Sequence, residues 1–121
     1  MYELMVEDSI DAAHALRGYE GPCENLHGHT WKVQVLIRGS KLNKLGLLED
    51  FKIIKKELRE VLAEFDHKLL NDLKPFKAEN PSSENLARII FKEMKKRMAA
   101  VHKVTVWESA FACATYWENK E

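Results

Sequence analysis

The sequence predicts a single α+β domain in which an antiparallel sheet carries two helices on one face. Apolar residues alternate with polar ones near both ends of the chain, and they recur at helical spacing in the middle. The 121 residues suffice for about one domain. Two strand pairs that flank two helices give the order ββααββ, and we expect one domain over residues 1–121.

The first two strands are predicted near the N-terminus. Residues 2–13 and 29–39 are rich in alternating or β-branched apolar side chains, a pattern that is typical of strands. Glycine and proline interrupt the segment 16–26, which is therefore predicted to be a loop. We expect the two strands to pair antiparallel across this loop.

The two helices are predicted in the middle of the chain. Apolar residues from Phe51 to Phe65 recur at a spacing near 3.6, and Asp50 is a suitable N-cap. A second apolar stripe begins at the serines of segment 81–84, one of which can cap the helix, and it ends near Ala100. The charged residues between the apolar positions predict solvated outer faces.

Segments 103–108 and 110–117 complete the sheet as two further strands. A four-stranded sheet leaves two edges whose backbone groups need partners. Such a sheet can close by joining other copies edge to edge into a barrel. The formal net charge is zero, so self-repulsion does not oppose this assembly.

Composition excludes several classes of function. Nineteen basic residues balance nineteen acidic ones, so the chain has no global basic field and we expect no nucleic-acid partner. The sequence has no run of about 20 apolar residues, and we expect no membrane partner. Acidic residues stand where a signal peptide needs basic ones, so we expect a cytoplasmic protein with free thiols.

Three histidines indicate a metal site. His27 and His29 are two positions apart on a predicted strand and therefore point to one face. His14, at the end of the preceding strand, reaches the same face if the two strands pair antiparallel. Three histidines with an open fourth position are typical of catalytic zinc. The residues alone also allow the alternative of ordinary surface or core histidines.

The two cysteines have different surroundings. Cys23 precedes His27 by four residues in the polar loop, where a nearby metal or imidazolium would lower its pKa and make it a base or nucleophile. A small buried side chain is the alternative for Cys23. Cys113 lies in the apolar segment 110–117 and is predicted to be such a buried side chain.

Two acidic positions are further candidates. Asp66 precedes His67 at the end of the first helix, where it could orient the imidazole for proton transfer or simply interact with the helix end. Glu108 ends the third strand after an apolar run. It either faces water or accepts the N–H donors of a heterocycle at the floor of a pocket, and both interpretations remain open.

Six segments resemble the 6-pyruvoyl-tetrahydropterin synthase family, which includes the bacterial 6-carboxytetrahydropterin synthases. They occur in the family's order and span nearly the whole chain: DAAHAL (11–16), CENLHGHTWKV (23–33), GLLEDFKIIKK (46–56), FDHKLLND (65–72), NPSSENLARII (80–90) and VWESAFACATY (106–116). The family's usual Glu-Thr is Glu108-Ser109 here, which retains a hydroxyl.

The resemblance implies a tunnelling fold in which trimers close a twelve-stranded barrel and stack into homohexamers, with active sites at subunit interfaces. It also implies a role for each candidate residue. The expected zinc ligands are His14, His27 and His29; the proton-transfer residues are Cys23, Asp66 and His67; and the residue that anchors the pterin ring is Glu108.

The implied substrate is 7,8-dihydroneopterin triphosphate. Three residues separate Cys23 from His27, as in the bacterial branch, so the resemblance favours a 6-carboxytetrahydropterin synthase of the queuosine precursor pathway that releases acetaldehyde and triphosphate. Glu24 follows Cys23 and resembles variants that also form 6-hydroxymethylpterin for folate synthesis. A 6-pyruvoyl product and a non-catalytic pterin-binding relative are the remaining alternatives.

Overall fold

The computed structural model describes residues 1–19 and 25–119 and has the predicted order ββααββ. Its elements are β1 (Tyr2–His14), β2 (His27–Gly39), α1 (Phe51–Leu62), α2 (Ser83–Arg97), β3 (Val101–Ser109) and β4 (Ala112–Tyr116). Two short 3₁₀ turns, Leu70–Asp72 and Lys74–Phe76, lie between the helices. In the described part of the chain, no helix is long and apolar enough to cross a membrane.

The four strands form one antiparallel sheet in the order β1-β2-β3-β4, so each strand pairs with its neighbours in sequence. The β1–β2 register runs from Tyr2 opposite Gly39 to His14 opposite His27. This long regular pairing fixes which side chains share a face. The outer strands β1 and β4 form the edges of the sheet.

One face of the sheet packs against both helices. Because side chains alternate along a strand, every second residue of β1, β2 and β3 points into this interface. Its members from the sheet are Val6, Ile10, Trp31, Val33, Val35, Ile37, Val104 and Val106. Leu58 of α1 and Ile90 of α2 are fully buried against this layer. The predicted α+β layering is therefore confirmed.

The predicted helix caps are present. The side chain of Asp50 accepts a hydrogen bond from the N–H of Lys52 (2.8 Å), and Ser82 accepts one from the N–H of Asn85 (3.1 Å). The first helix ends at Leu62, although the apolar pattern continues to Phe65. Phe65 lies in the turn that follows the helix, and its side chain is buried from there. The second ends at Arg97.

The face of the sheet opposite the helices is lined by polar side chains that bond across the strands. Gln34 Nε2 donates to Glu7 Oε1 (3.1 Å), and Trp107 Nε1 donates to Gln34 Oε1 (3.0 Å). Cys113 pairs with Trp107 on the edge strand and is exposed. The expectation of a buried Cys113 is therefore wrong, because an apolar sequence at a sheet edge still leaves one face uncovered.

Candidate metal centre and proton-transfer pair

The three histidines converge at one end of the helix-covered face. His14 is opposite His27 in the β1–β2 register, and His29 is two residues further along β2, so strand alternation points all three rings to the same side. Their ring centroids are 4.5 Å (His14–His27), 4.6 Å (His27–His29) and 5.2 Å (His14–His29) apart. Trp31, the next residue on this face of β2, packs edge-on against His14 and His29.

Backbone carbonyls orient two of the rings. His14 Nδ1 lies 2.7 Å from the carbonyl oxygen of Pro81, and His27 Nδ1 lies 2.6 Å from that of Asn25. A carbonyl oxygen can only accept a hydrogen bond, so each Nδ1 carries the proton. In a neutral ring the Nε2 atom is then unprotonated and free to act as a metal ligand.

The free nitrogen atoms lie where a metal would need them. His14 Nε2 and His27 Nε2 are 3.1 Å apart. Two nitrogen ligands at about 2.0–2.1 Å from a tetrahedral zinc ion are separated by about 3.3 Å, so the spacing fits one ion between them. Among the described residues, His29 Nε2 is a buried nitrogen atom that makes no hydrogen bond. These observations fit a cation bound by three imidazoles.

The electrostatics of His29 favour the neutral form that binds a metal. Partial burial lowers the pKa of His29 because the charged ring would lose hydration. Glu108 opposes this shift, whereas His14 and His27 act in the same direction as burial.

Glu108 joins the three histidines from β3. Its Oε1 atom lies 3.1 Å from His14 Nε2 and 3.2 Å from His29 Nε2. The same side chain lines an open cavity of about 450 Å³ between the first turn of α2 and strand β4. Glu108 therefore lies between the metal centre and a space large enough for a small heterocycle.

Asp66 and His67 form a separate cluster at the outer edge of β1. Asp66 Oδ1 accepts a hydrogen bond from the N–H of Asp11 (2.9 Å) and lies 3.1 Å from His67 Nδ1. The N–H of His67 donates to the carbonyl of Asp11 (2.6 Å), and His67 has the left-handed backbone conformation, with φ 58°. The segment around His67 is thus held in a tight turn against β1.

The carboxylate of Asp66 is stabilised in its ionised form. Its pKa lies below the ordinary value, first because it accepts the backbone hydrogen bond from Asp11. His67 and Arg59 lower the pKa further, while burial acts in the opposite direction. Arg59 Nη2 lies 3.5 Å from Asp66 Oδ2. A charged Asp66 is suited to hold the His67 ring in place.

Within residues 1–19 and 25–119, the candidate residues thus fall into two groups: His14, His27, His29 and Glu108 in one, and Asp66 and His67 with Asp11 in the other. His29 and His67 line a common open cavity of about 520 Å³. Cys23 and Glu24 lie outside the described residues.

Several partners in this site have no signal in the sequence. The carbonyls of Pro81 and Asn25 orient two histidines, but a main-chain acceptor can come from any residue type. Asp11, which holds Asp66 and His67, looks like an ordinary polar position of an alternating strand. The contact of Glu108 with the histidines depends on the pairing of β2 with β3, which one sequence does not specify.

The chain matches one protein-family model over residues 3–119, and that model describes 6-pyruvoyl tetrahydropterin synthase. A solved structure of the 6-pyruvoyl tetrahydropterin synthase of Caenorhabditis elegans superposes with a TM-score of 0.89 at 30% identity, covering 98% of this chain and 96% of that one.

Two curated relatives have names that indicate different reactions. A 6-carboxy-5,6,7,8-tetrahydropterin synthase of Synechocystis is 32% identical over 126 residues, which cover 99% of this chain and 96% of the relative. A dihydroneopterin monophosphate aldolase of Pyrococcus furiosus is 35% identical over 103 residues, or 83% of each chain.

Proposed function

The chain belongs to the 6-pyruvoyl tetrahydropterin synthase family, and from this premise we propose that it is a zinc-dependent 6-carboxy-5,6,7,8-tetrahydropterin synthase. The substrate is 7,8-dihydroneopterin triphosphate, and the products are the carboxypterin, acetaldehyde and triphosphate, with one water consumed to balance the loss of the two-carbon fragment. This reaction supplies a precursor of queuosine. The observation that carries the proposal is the convergence of three imidazoles and Glu108 at one end of the sheet.

His14, His27 and His29 would hold the zinc ion through Nε2, the atom that the carbonyls of Pro81 and Asn25 leave unprotonated in His14 and His27. When bound, zinc supplies Lewis-acid chemistry that polarises a carbonyl or hydroxyl of the substrate side chain. The packing of Trp31 against two of the rings limits their rotation and keeps them ready for the metal.

Glu108 would bind the pterin ring. A carboxylate accepts two parallel N–H donors, which the amino-pyrimidine portion of a pterin presents. Its position beside the three histidines and at the wall of the 450 Å³ cavity supports this role, because a ring held there directs its side chain toward the metal centre.

Proton transfer would involve Cys23 and His67. Cys23 would be the base that removes a carbon-bound proton from the substrate, because a nearby cation lowers the pKa of a thiol. His67, oriented by the charged Asp66, exchanges a second proton. We also propose that the chain acts in the cytoplasm as a homohexamer. The place of the Asp66–His67 cluster at the outer edge of β1 supports an assembly in which such edges meet at subunit interfaces.

Product analysis by mass spectrometry tests the reaction. Zinc-loaded protein incubated with 7,8-dihydroneopterin triphosphate should yield 6-carboxytetrahydropterin with equimolar acetaldehyde. Cys23→Ala should abolish turnover, whereas Asn43→Ala, which changes the connection between β2 and α1 away from both the histidines and the cavity beside Glu108, should retain it. A 6-pyruvoyl product without acetaldehyde would overturn the carboxypterin assignment and leave the family chemistry in place.

An aldolase-like activity is the second candidate. The similarity to the Pyrococcus furiosus aldolase and the presence of Glu24 beside Cys23 support it, since a carboxylate and a thiol offer bases of different strength. Glu24→Ala should then abolish formation of 6-hydroxymethyl-dihydropterin while the carboxypterin is still made. Equal loss of both products would reject this division of labour.

A further inference from the structure

Two asparagines bind the backbone that follows His14. Asn71 Oδ1 accepts from the N–H of Ala15 and Asn71 Nδ2 donates to the carbonyl of the same residue, both at 2.9 Å. Asn80 repeats this arrangement on Arg17, with 2.8 Å to the N–H and 2.9 Å to the carbonyl. Each side-chain amide thus replaces the hydrogen bonds that a neighbouring strand would make.

The asparagine at position 80 is itself held from the other side. The main-chain carbonyl of Asn80 accepts a hydrogen bond from Asn85 Nδ2 (2.9 Å) in the first turn of α2. The next residue, Pro81, is buried and presents its carbonyl to His14 Nδ1 at 2.7 Å. Asn80 therefore connects three things: the chain after β1, the start of α2 and the carbonyl that orients His14.

We propose that Asn71 and Asn80 are positioning residues that fix the orientation and tautomer of His14 for metal binding. We name the pair the asparagine clamp. The inference rests on the metal centre of the proposed function, but it does not depend on which pterin product is formed.

The position of His14 at the end of a strand explains why the backbone that follows it needs additional hydrogen bonds. His14 ends β1, and beyond a strand end the sheet supplies no ladder hydrogen bonds to fix the chain. A small rotation there would move Nδ1 away from the Pro81 carbonyl and leave a buried donor unpaired. Asn71 and Asn80 supply the missing constraint immediately after His14.

Zinc titration against a chelating indicator, starting from the metal-free protein, tests the clamp. Loss of the outer-shell partner of a metal-bound histidine typically costs about 10–100-fold in affinity. Asn80→Ala and Asn71→Ala act on that partner indirectly, through the backbone on which the His14–Pro81 bond depends, so they should weaken zinc binding by about tenfold. Asn80→Asp keeps the acceptor but loses the donor to Arg17, and it should give a smaller loss in a well-folded chain.

Asn43→Ala is the matched control. Asn43 Oδ1 accepts from the N–H groups of Leu45 (2.9 Å) and Leu47 (3.1 Å) in the connection between β2 and α1, so the variant loses comparable side-chain bonds away from the metal centre. It should bind zinc as the unmodified chain does. Zinc affinities of the three clamp variants that equal that of Asn43→Ala would overturn the proposal.

Imidazole ¹⁵N NMR of the metal-free protein provides a second readout. The unmodified chain should show His14 as the Nδ1–H tautomer, and Asn80→Ala should show a mixture of tautomers. An unchanged tautomer in Asn80→Ala would contradict the clamp. The two proposals can fail separately. If the unmodified chain makes no pterin product, the proposed reaction is overturned; if the clamp variants of that chain still bind zinc more weakly, the clamp is supported.

Discussion

His14 is the most buried ligand of the candidate metal centre, and its two nitrogen atoms have separate tasks. Nδ1 donates to the Pro81 carbonyl, and this bond leaves Nε2 to face Glu108 and His27. Because the side chain is only 1% exposed, water cannot replace either partner. A buried polar group without its partners is costly, so this position tolerates few other residues.

The metal centre predicts a strong effect of His29→Gln. Glutamine keeps a polar side chain but removes the imidazole nitrogen that faces the centre beside Glu108 and makes no hydrogen bond. Zinc affinity should fall by more than about 100-fold, since outer-shell changes alone reach that value. Competition with a chelating indicator measures this. His102→Gln on β3, outside the cluster, is the control and should leave zinc affinity unchanged.

The lowered pKa of Asp66 predicts a pH-dependent stability. The group contributes fully above the ordinary pKa of an unfolded aspartate, about 4, and its contribution is lost as the pH falls through the lower folded value. Asp66→Asn should therefore be less stable than the unmodified chain at neutral pH, and the difference should shrink in acid. Urea unfolding across the acidic range measures it.

Exposed Asp72 provides the comparison for that experiment. Asp72→Asn should match the stability of the unmodified chain at neutral pH. If Asp66→Asn also followed it at neutral pH, the hydrogen bonds from Asp11 and the ion pair with Arg59 would contribute nothing to folding.

The convergence of the three histidines could be predicted from the sequence, because strand alternation alone aligns His27 with His29 and antiparallel pairing adds His14. The roles of Asn71, Asn80 and the Pro81 carbonyl could not. They depend on a loop that returns to β1 more than fifty residues later in the chain. Such contacts leave no periodic pattern in a single sequence.

At the level of secondary structure, residues at the start of helix α2 contribute to helix capping, to the orientation of His14 and to the cavity beside Glu108. Ser82 caps the helix, Pro81 orients His14, and Glu84 of the first turn lines the cavity beside Glu108. The start of this helix therefore links the packing of the core to the geometry of the site.

The cap of α2 predicts a moderate loss of stability in Ser82→Ala. The variant loses the hydrogen bond from the N–H of Asn85, and removal of a serine cap typically costs about 1 kcal/mol. Urea unfolding measures the change. The adjacent Ser83→Ala is the control, because Ser83 is already inside the helix, and a loss equal to that of Ser82→Ala would contradict the capping role.

Periodicity predicted the type and order of all six main elements, since a half-buried strand and a half-buried helix have different repeats. It could not predict where α1 ends, because Phe65 continues the apolar pattern from a turn. The two 3₁₀ turns also escaped it. They are too short to show a period, although Leu70 and Phe76 are fully buried.

At the scale of the whole molecule, β4 is an edge strand of the sheet that the described residues form. Strand β4 has the sequence ACATY, with no charged residue to discourage pairing with another chain. A protein that remained a monomer would be expected to protect such an edge with lysine or proline. The sheet edge thus supports the proposed assembly.

A charge at this edge should separate assembly from metal binding. Cys113→Lys places a lysine on exposed β4 and should shift the protein toward the monomer in analytical ultracentrifugation. Zinc binding should persist because all three histidines belong to one chain. Sedimentation is the readout of assembly here, because Cys113 also lines the cavity beside Glu108 and a lysine there would lower turnover in any assembly state. Cys113→Ser should assemble normally, and a Cys113→Lys protein that is both monomeric and active would contradict the interface site.

The position of the metal ligands on the core face has a consequence for folding. The register that buries Trp31 and Ile10 is the same register that brings His14 opposite His27. A slip by one residue would move both sets to the opposite face. Only correctly paired chains can then be metallated, and zinc at about 100 times its dissociation constant would favour them by about 2.7 kcal/mol. Zinc binding would therefore stabilise the correct pairing of β1 with β2, in addition to any part that the metal has in the reaction.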